Sequence, residues 1–397
     1  MATSPDDASL RVEVPLDRLG FRFTEEQRLM RDAASSFARE RIAPGAAERD
    51  RSGRFPLELV RELGGMGLLG MKVSVDDGGA GADNTGYVLA MQAIAQACAS
   101  VAVILASSNL VACILADHAS PEQRERWLSP FARGELGPAG FCLTEPDAGS
   151  DASALRTRAV AKGDGFVIDG SKQWITSGAH AGIYLVFAKT DPEAGRDGIS
   201  AFVVERDTPG LTIGKDEHKM GLRSSGTVQV HFEGVEVPRS QLVGSLGRGY
   251  AVALGALGAG RIGIAAQSLG IAEAAFAEGV RYAAQRRAFG QRVVDFQASR
   301  FAIADSRTDL DAAWLLTLRA AALLDRGERA PMETSMAKLA ASEGCGRVVD
   351  RMLQLHGGNG YSQEYLVERL YRDARITRIY EGTNEIQRLV VAREIVR

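Results

Sequence analysis

The stretch "GFVIDGSKQWITSG", Gly165–Gly178, is short, β-rich and interrupted by glycine and aspartate. Three similar runs follow it: "IYLVFAKT" (183–190), "ISAFVVER" (199–206) and "VQVHFEGVEV" (228–237). In residues 228–232 of the last run apolar and polar residues alternate strictly, which is the pattern of a half-buried strand. The four runs predict a β domain over residues 141–250, and its size of about 110 residues is that of a β-sandwich or small barrel.

Both flanks of this β domain have helical patterns. The segment "QAIAQACASVAVILASSNLVACILADH" (92–118) is apolar enough for a helix buried on several sides, and residues 298–327 predict a long amphipathic helix. The order helices, strands, helices lacks βαβ alternation, which argues against a doubly wound nucleotide fold. The sequence therefore predicts an α+β multidomain chain. Its parts are a flexible N-terminal tail (1–20), an N-terminal α-helical domain (21–140), the β domain (141–250) and a C-terminal helical bundle (251–397).

Composition excludes several classes of protein. The 397 residues carry a formal net charge of -3 with acids and bases interspersed, so no nucleic-acid footprint is present. Apolar runs such as 101–105 are too short to span a bilayer, and "MATSPDDASLRVEVP" (1–15) has no signal-peptide pattern. The four cysteines form no CxxC pair and the five histidines show no metal spacing. We expect a cytoplasmic protein without disulfides, a membrane span or a metal.

One motif points to a different kind of nucleotide site. Gly258–Gly263 has the pattern GxGxxG, and Glu278 lies where a ribose-binding acid would follow. The preceding residues "YAVALGAL" are small and helix-compatible, and no strand–helix alternation comes after them. We therefore expect these glycines to permit a close approach of the backbone to a ligand or a neighbouring helix, rather than to form a Rossmann turn.

Six further stretches occur in an order that resembles the acyl-CoA dehydrogenases. The resemblance covers almost the whole chain from about Phe21 and is closest to the short-chain (butyryl-CoA) and short/branched-chain members. The six stretches are "FCLTEPDAGSD" (141–151), "KQWITSG" (172–178), "GRIGIAAQSLGIAEAAF" (260–276), "RRAFGQRVVDFQ" (286–297), "QLHGGNGY" (354–361) and "YRDARITRIYEGTNEIQR" (371–388).

The resemblance implies a fold, a cofactor and a reaction. The fold would have an N-terminal helical domain, a middle β domain and a C-terminal four-helix bundle, as the patterns above predict. The cofactor would be FAD, held between the β domain and the C-terminal helices. The reaction would convert an acyl-CoA to the trans-2-enoyl-CoA, with hydride passing to flavin N5. Electrons would leave through electron-transferring flavoprotein, and the assembly would be a homotetramer.

Glu381, in the "YEGT" motif, has two interpretations. From the neighbouring residues alone it is a turn acid before a helix in which Asn384 and Gln387 form a capping box. By resemblance it is the base that removes the α-proton, and a buried position would raise its pKa. Its backbone N–H and a ribityl hydroxyl of FAD would then bind the thioester carbonyl. Glu385 is the competing carboxylate, at a position that contacts FAD in relatives.

The resemblance assigns the FAD site to residues from several motifs. Thr144 and Thr176 would bond the flavin ring, Trp174 would cover it, and Ser150 would lie near the ring and the CoA arm. Considered alone, Trp174 is an ordinary core aromatic. The remaining expected cofactor contacts are Phe141, Leu143, Arg286 (at the pyrophosphate), Phe289, Gln297, Gln354, Gly357, Gly358, Thr383 and Glu385, some of them contributed by a neighbouring subunit.

Substrate contacts are expected at Ser150, Thr190, Gly258, Arg261, Tyr380 and Gly382, with Arg261 near the CoA arm. The chain departs from the family at three positions. Gly258 stands where relatives commonly have aspartate, which removes or replaces one polar contact, and Ala288 stands where some have a threonine that touches FAD. Gly260 occupies the alternative base position of isovaleryl- and long-chain-type members, which leaves Glu381 as the strong base candidate. We expect the helix around Ser100–Leu105 to floor the acyl pocket.

Other functions stay open at this point. An acyl-CoA oxidase would use oxygen as the acceptor, although typical oxidases are longer chains. A nitroalkane oxidase would carry aspartate at the base position. A non-catalytic flavin- or acyl-CoA-binding relative is the alternative from another class, and retention of Glu381 with the "TEPDAGSD" and "WIT" motifs argues against it.

Overall fold

Helices form both ends of the chain and strands its middle, in a computed structural model that describes residues 10–396. The helices are α1 (Glu25–Phe37), α2 (Ala46–Ser52), α3 (Leu57–Gly65), α4 (Asn84–Ala97), α5 (Ala99–His118), α6 (Pro121–Gln123), α7 (Ser129–Ala132), α8 (Gly249–Gln285), α9 (Gln297–Asp325), α10 (Pro331–Leu355), α11 (Leu366–Arg375) and α12 (Asn384–Ile395). The strands are β1 (Ala139–Cys142), β2 (Arg158–Lys162), β3 (Gly165–Ile175), β4 (Ile183–Lys189), β5 (Ile199–Glu205), β6 (Leu211–Ile213), β7 (Val228–Pro238), β8 (Leu242–Val243), β9 (Arg287–Ala288) and β10 (Gln291–Arg292). The predicted order of helices, strands and helices is confirmed.

The middle sheet curls on itself. Its strand order is β6-β7-β3-β2-β4-β5-β8, and β1 pairs in parallel with β4. Strands β3 and β5 are not neighbours, yet the rings of Phe166 on β3 and Phe202 on β5 lie 5.2 Å apart. Since adjacent strands are about 4.8 Å apart, these rings can meet only across the inside of a curled sheet. The predicted barrel-like β domain is therefore present.

Strand β4 is buried on both faces because it separates two cores. Tyr184 and Val186 belong to the core inside the β domain, whereas Leu185 and Phe187 belong to the main core shared with the helices. This alternation follows from the two-residue period of a strand. It fixes the β domain against the helical domains through apolar contact.

Helix α8 connects all three domains. It packs against α4 and α5 of the N-terminal domain, against α9, α10 and α11 of the C-terminal domain, and against β4 and β5 of the middle sheet. The Gly258–Gly263 motif lies inside this helix with no strand before it, so the structure confirms that it is not a Rossmann turn. The glycines bring the helix close to its neighbours: a Cβ at Gly263 would lie 2.3 Å from the hydroxyl of Tyr87.

Two helices are long and apolar enough to span a membrane by length and composition alone, Ala99–His118 and Gly249–Gln285. The sequence analysis did not identify these two helices as long apolar segments, because alanine, glycine and serine separate their larger apolar residues. The most apolar window of Ala99–His118 is 83% buried inside the protein, and that of Gly249–Gln285 is 44% buried. The apolar surface of Ala99–His118 therefore packs in the core of the protein.

The flexible tail predicted for residues 1–20 does not hold for residues 10–20. Val12 and Val14 are buried in the main core, and Arg307 on α9 donates a hydrogen bond of 2.8 Å to the carbonyl oxygen of Glu13. The two valines alternate with exposed residues, so the segment docks through one apolar face. Residues 1–9 lie outside the described part of the chain.

Candidate active site

A cleft of about 800 Å³ runs between α5 and the first half of α8. On α8 it is lined mainly by small residues, among them Gly255, Ala256, Ala259 and Gly260. On α5 the lining begins at Ala106 and continues to His118, one helical stretch beyond the Ser100–Leu105 segment expected to floor the pocket. Ser100–Leu105 is instead buried in the core and does not line this cleft. The part of α5 that lines the cleft begins one residue after this segment.

Glu381 does not itself line this cleft but lies next to Gly260, which does. It sits in the turn between α11 and α12 with φ of 49°, and Gly382 follows with φ of 86°. Its Oε2 atom is buried and has no hydrogen-bond partner among residues 10–396. A Cβ placed on Gly260 would lie 3.1 Å from that oxygen. A left-handed conformation at glutamate is unfavourable, and a surrounding structure that maintains it is typical of functional sites.

Burial raises the pKa of Glu381 to about 7, and the positive charges of Lys338 and Arg261 oppose that rise. Burial also lowers the pKa of Lys338 to about 8, against the charge of Glu381. The pKa of Arg261 is lowered by burial as well, and its Nη1 donates to the Ser335 hydroxyl at 2.8 Å. The carboxylate therefore shares its buried environment with two cations, one on α8 and one on α10.

Glu385 is not a comparable base. It lies on the first turn of α12 with its side chain 79% exposed. Its own backbone N–H, followed by the Thr383 hydroxyl, lowers its pKa. An exposed carboxylate with a lowered pKa is a weak proton acceptor, so Glu381 and Glu385 differ in burial and in pKa.

The predicted capping box of Asn384 and Gln387 is wrong. Thr383 is the N-cap residue, with its hydroxyl accepting from the N–H of Ile386 at 3.4 Å. Asn384 already lies inside α12, because Lys338 and Ser342 bond its side chain into α10. The Gln387 side chain donates to the carbonyl oxygen of Gly382 at 2.9 Å instead of capping the helix.

Tyr380 packs behind the base. Its hydroxyl donates to the side-chain oxygen of Gln267 on α8, and the amide of Gln267 donates to the carbonyl oxygen of Ala99 at 2.9 Å. This chain of bonds connects the turn of Glu381 to α8 and α5. The sequence analysis missed Gln267, since a buried glutamine at helical spacing has no distinctive signal.

The expected flavin contacts at the β domain come together around one strand end. The N–H of Gln173 on β3 donates to the carbonyl oxygen of Thr144 at 2.9 Å, and the Lys172 ammonium donates to that of Leu143 at 3.2 Å. These bonds hold the loop after β1 beside Trp174, which is 55% exposed and has φ of 61°. An exposed tryptophan with a strained backbone argues against the core-aromatic interpretation.

The other residues expected near this loop lie on the same domain. Phe141 on β1 packs edge-on against Phe187, and Ser150 is exposed in the loop. Thr176 follows β3 and is half-buried. The Thr190 hydroxyl bonds the Gly198 carbonyl oxygen and the Ser200 hydroxyl, so its polar group is already used within the domain.

A second group of expected cofactor residues lies far from the base. Arg286 follows the C-terminal end of α8, about 40 Å from Gly260 along that helix. Gln354 on α10 lies about 24 Å from Lys338 by the same helical rise. The neighbouring bonds place both at one end of the bundle, since Asn359 donates to the hydroxyl of Tyr282 at 2.8 Å. The group consists of Arg286, Phe289, Gln297, Gln354, Gly357 and Gly358.

On α8, Gly258 and Arg261 lie close in sequence to the cleft-lining Gly260 but do not themselves line the cleft. A Cβ on Gly258 would meet no atom within 4 Å, so the position where relatives have aspartate opens into free space. Arg261 donates to the Ser335 hydroxyl on α10, while its Nε is buried without a partner in the described chain. The guanidinium is thus bonded to α10, and its positive charge acts on the Glu381 carboxylate.

Gly260→Ala is expected to slow the reaction several-fold. The new methyl group would lie 3.1 Å from Oε2 of Glu381 and 3.5 Å from Leu110, so the carboxylate must move by a few tenths of an ångström. A displacement of about 1 Å at a reacting group lowers rates by about 100-fold, and a smaller one has a smaller effect. Gly344→Ala is the control, because a Cβ there meets its nearest neighbours at 3.8 Å. Equal turnover of the two variants would show that Gly260 does not set the position of the base.

A buried carboxylate oxygen without a hydrogen-bond partner, next to a residue that lines a cleft, can accept a proton from a bound molecule. By the resemblance, the same reaction also transfers a hydride. No side chain accepts a hydride, so the second half of such a reaction requires a bound redox cofactor.

Comparison with known proteins gives the family. Three family models match the chain: the acyl-CoA dehydrogenase N-terminal domain (24–135), middle domain (140–235) and C-terminal domain (247–396). The short-chain specific acyl-CoA dehydrogenase of Bos taurus mitochondria is 44% identical over 94% of this chain and 90% of that protein. The caffeyl-CoA reductase-Etf complex subunit CarC of Acetobacterium woodii is 40% identical over 93% and 98%. The structure of butyryl-CoA dehydrogenase from Megasphaera elsdenii matches with a TM-score of 0.92 and 40% identity, over 95% of this chain and 100% of that one.

The chain belongs to the acyl-CoA dehydrogenase family, is an oxidoreductase acting on acyl-CoA, and uses FAD. The residues present fit this cofactor. Trp174 presents an exposed aromatic face, and neither Gly357 nor Gly358 has an atom within 4 Å of a Cβ position, which leaves room for a ligand against the backbone. Thr144, Trp174 and Thr176 would hold the flavin ring, and Arg286 would pair with the pyrophosphate.

Proposed function

We propose that the protein catalyses α,β-dehydrogenation of a short- or branched-chain acyl-CoA to the trans-2-enoyl-CoA, with Glu381 removing the α-proton. The observation that carries the proposal is the buried, unpartnered Oε2 of Glu381 next to Gly260, a residue that lines the cleft. A carboxylate without a hydrogen-bond donor has a free lone pair for a proton, and its raised pKa makes it a stronger base.

The turn of Glu381 also offers a donor for the thioester carbonyl. The backbone N–H of Glu381 has no acceptor within residues 10–396. A carbonyl oxygen bonded to this N–H would accumulate negative charge as the α-proton leaves, and a preorganised donor stabilises that charge. FAD, when bound, supplies the acceptor for the β-hydride. The base and the donor belong to one residue, so the left-handed turn orients both.

The rate at which acyl-CoA reduces the bound flavin is expected to rise with pH around a midpoint near 7. Burial raises the pKa of Glu381 from 4.5 to about 7, and only the ionised carboxylate accepts a proton. Activity is therefore present above this pKa and is lost as the pH falls through it. Stopped-flow measurement of flavin reduction across the neutral range tests this expectation. A midpoint near 4.5, the ordinary value for glutamate, would show that the base is not buried in the working enzyme.

The preference for short or branched acyl groups rests on the relatives, since the matched proteins include a short-chain specific and a butyryl-CoA dehydrogenase. A panel of straight- and branched-chain acyl-CoAs, mixed anaerobically with the oxidised protein, tests it. The largest rate of flavin bleaching is expected with a four- to five-carbon acyl group. A maximum with long chains would overturn the preference but leave the reaction class intact.

Reduction of an enoyl-CoA is a second candidate. One relative is named as a caffeyl-CoA reductase subunit, and a base with a pKa of about 7 populates both protonation states near neutral pH. A protonated Glu381 would return a proton to the α-carbon in the reverse reaction. Reoxidation of chemically reduced protein by a panel of enoyl-CoAs, compared with its reduction by the saturated acyl-CoAs, decides the direction.

The electron partner and the assembly are parts of the same proposal. Electron-transferring flavoprotein is the proposed acceptor, supported by a relative named for its Etf complex, and oxygen is the alternative acceptor of an oxidase. A homotetramer is proposed because Arg286 and its neighbours lie at the bundle end distant from the base, with Phe289 97% exposed, as expected if they serve another subunit's FAD. Sedimentation tests the homotetramer, and turnover measured with each acceptor tests the choice between electron-transferring flavoprotein and oxygen.

A cytoplasmic location is proposed from the four free cysteines.

A further inference from the structure

Lys338 is a buried lysine on α10 for which the reaction described above has no role. It is fully buried, and its ammonium donates to the carbonyl oxygen of Gly382 at 2.9 Å and to the side-chain oxygen of Asn384 at 2.9 Å. No carboxylate of the described residues lies within ion-pair distance of it. A buried cation without an ion-pair partner is unfavourable, and it persists only where its charge or its bonds serve the surrounding structure.

The two bonds of Lys338 hold the turn that carries the base. Gly382 directly follows Glu381, and both have positive φ, which a free chain rarely adopts for glutamate. Gln387 donates to the same Gly382 carbonyl oxygen, also at 2.9 Å. Two donors from two helices thus fix the carbonyl on the C-terminal side of the base. Loss of one donor would free the turn to move.

The charge of Lys338 acts on the carboxylate itself. The groups that face Glu381 are Arg261 from α8, Lys338 from α10, Tyr87 from α4 and its own neighbour Tyr380. Arg261 is bonded to Ser335, and both tyrosines are neutral near pH 7 because burial raises their pKa values. Glu343 and Glu385 act on Lys338 rather than on Glu381. The cations are therefore the groups that favour the ionised base, and burial opposes them.

We propose that Lys338 is a positioning residue for Glu381: its ammonium clamps the turn through the Gly382 carbonyl oxygen and the Asn384 side chain, and its charge favours the ionised carboxylate. The inference rests on Glu381 being the base. By this inference a residue of α10 controls the pH range in which the base can accept a proton. Helix α10 supplies no expected contact to the acyl group.

The first test is the pH profile of flavin reduction in Lys338→Met. Methionine keeps most of the volume and removes the charge and both bonds. Removing a nearby opposite charge raises a carboxyl pKa by roughly one unit or more, so the rising limb should move upward by at least that much. At high pH the rate of flavin reduction by Lys338→Met should return close to that of the wild type. Ser342→Ala is the matched control, because Ser342 also bonds Asn384, at 3.1 Å, but carries no charge. The pH at which flavin reduction rises in Ser342→Ala should be the same as in the wild type.

The second test does not depend on activity. A raised carboxyl pKa stabilises the folded state fully below the unfolded pKa, and that contribution is lost as the pH rises through the folded pKa. The difference in unfolding free energy between each protein and its Glu381→Gln derivative isolates this contribution. In wild type it should disappear between about pH 4.5 and 7, given the folded pKa of about 7, and in Lys338→Met its loss should extend to higher pH. Lys338→Gln replaces Lys338→Met if the latter does not fold.

A purely structural Lys338 would give another pattern. Rates would fall equally at all pH values, FAD content and unfolding midpoint would drop, and neither the kinetic limb nor the stability difference would shift; this result overturns the proposal. If no acyl-CoA reduces the flavin of wild type, the proposed function fails, while the stability titration still decides whether Lys338 controls ionisation of Glu381.

Discussion

Replacement of Glu381 by glutamine is expected to lower the rate of flavin reduction by acyl-CoA by at least about 1,000-fold, within the upper range for loss of a general base. Glutamine preserves the size of the side chain and removes its capacity to accept a proton. The buried Oε2 has no hydrogen-bond partner in the described structure, so the amide replaces no existing bond to that atom. The variant should therefore fold and retain its bound flavin. Anaerobic stopped-flow measurement with the best acyl-CoA of the panel gives the rate.

Two further variants make this result specific. Glu328→Gln removes an exposed carboxylate that pairs with Arg326 on the surface, and it should behave as wild type. Glu385→Gln tests the competing carboxylate of the same segment, whose exposed position predicts a much smaller loss than that of Glu381→Gln. If Glu385→Gln abolished flavin reduction and Glu381→Gln did not, the assignment of the base would be wrong.

Replacement of Lys172 by methionine is expected to destabilise the protein by about 3–5 kcal/mol, the usual effect of removing one partner of a buried ion pair. Lys172 on β3 and Glu145 in the loop after β1 are both buried, with Nζ and Oε1 2.7 Å apart. Burial raises the pKa of Glu145, but Lys172 and the Thr157 and Arg156 donors together lower it below its usual value. Without the lysine, a carboxylate would remain buried without its counter-charge.

The loss should extend to flavin binding, because Lys172 also holds the carbonyl oxygen of Leu143 beside Trp174. Denaturant unfolding and the ratio of flavin to protein after purification measure the two effects. Lys162→Met is the matched control: Lys162 pairs with Glu236 between exposed side chains, and such pairs contribute about 0–1 kcal/mol. The double variant Lys172→Met/Glu145→Gln should recover part of the stability. An unfolding free energy of Lys172→Met within about 1 kcal/mol of wild type would contradict this account of the loop.

Periodicity predicted most of the fold and only part of the site. Alternation in "VQVHFEGVEV" identified β7, and the absence of strands around Gly258–Gly263 placed that motif in a helix. Both patterns are local, so the sequence displays them directly. The curl of the sheet, which brings Phe166 to Phe202, depends on contacts between distant strands that no local pattern shows.

Lys338 shows why the rest of the site escaped prediction. It occupies the buried face of α10, three residues before Ala341 and four after Thr334, where the helical period predicts an apolar residue. A lysine at an apolar position is a signal that the sequence contains. Its bonding partner, however, is Gly382 in the turn before α12, far away in the sequence, so no local pattern could identify that partner. The wrong capping box at Asn384 has the same origin: a tertiary bond to Lys338 replaced the local one. Local chemistry could identify Glu381 as a candidate, while its burial needed the packing of three helices.

The most direct test of the central claim is anaerobic mixing of the purified, oxidised protein with butyryl-CoA, with the flavin spectrum and the mass of the CoA product recorded together. We expect loss of the oxidised flavin band and a product two mass units lighter, the trans-2-enoyl thioester. A yellow, correctly folded protein whose flavin is bleached neither by butyryl-CoA nor by any other acyl-CoA of the panel would contradict the account.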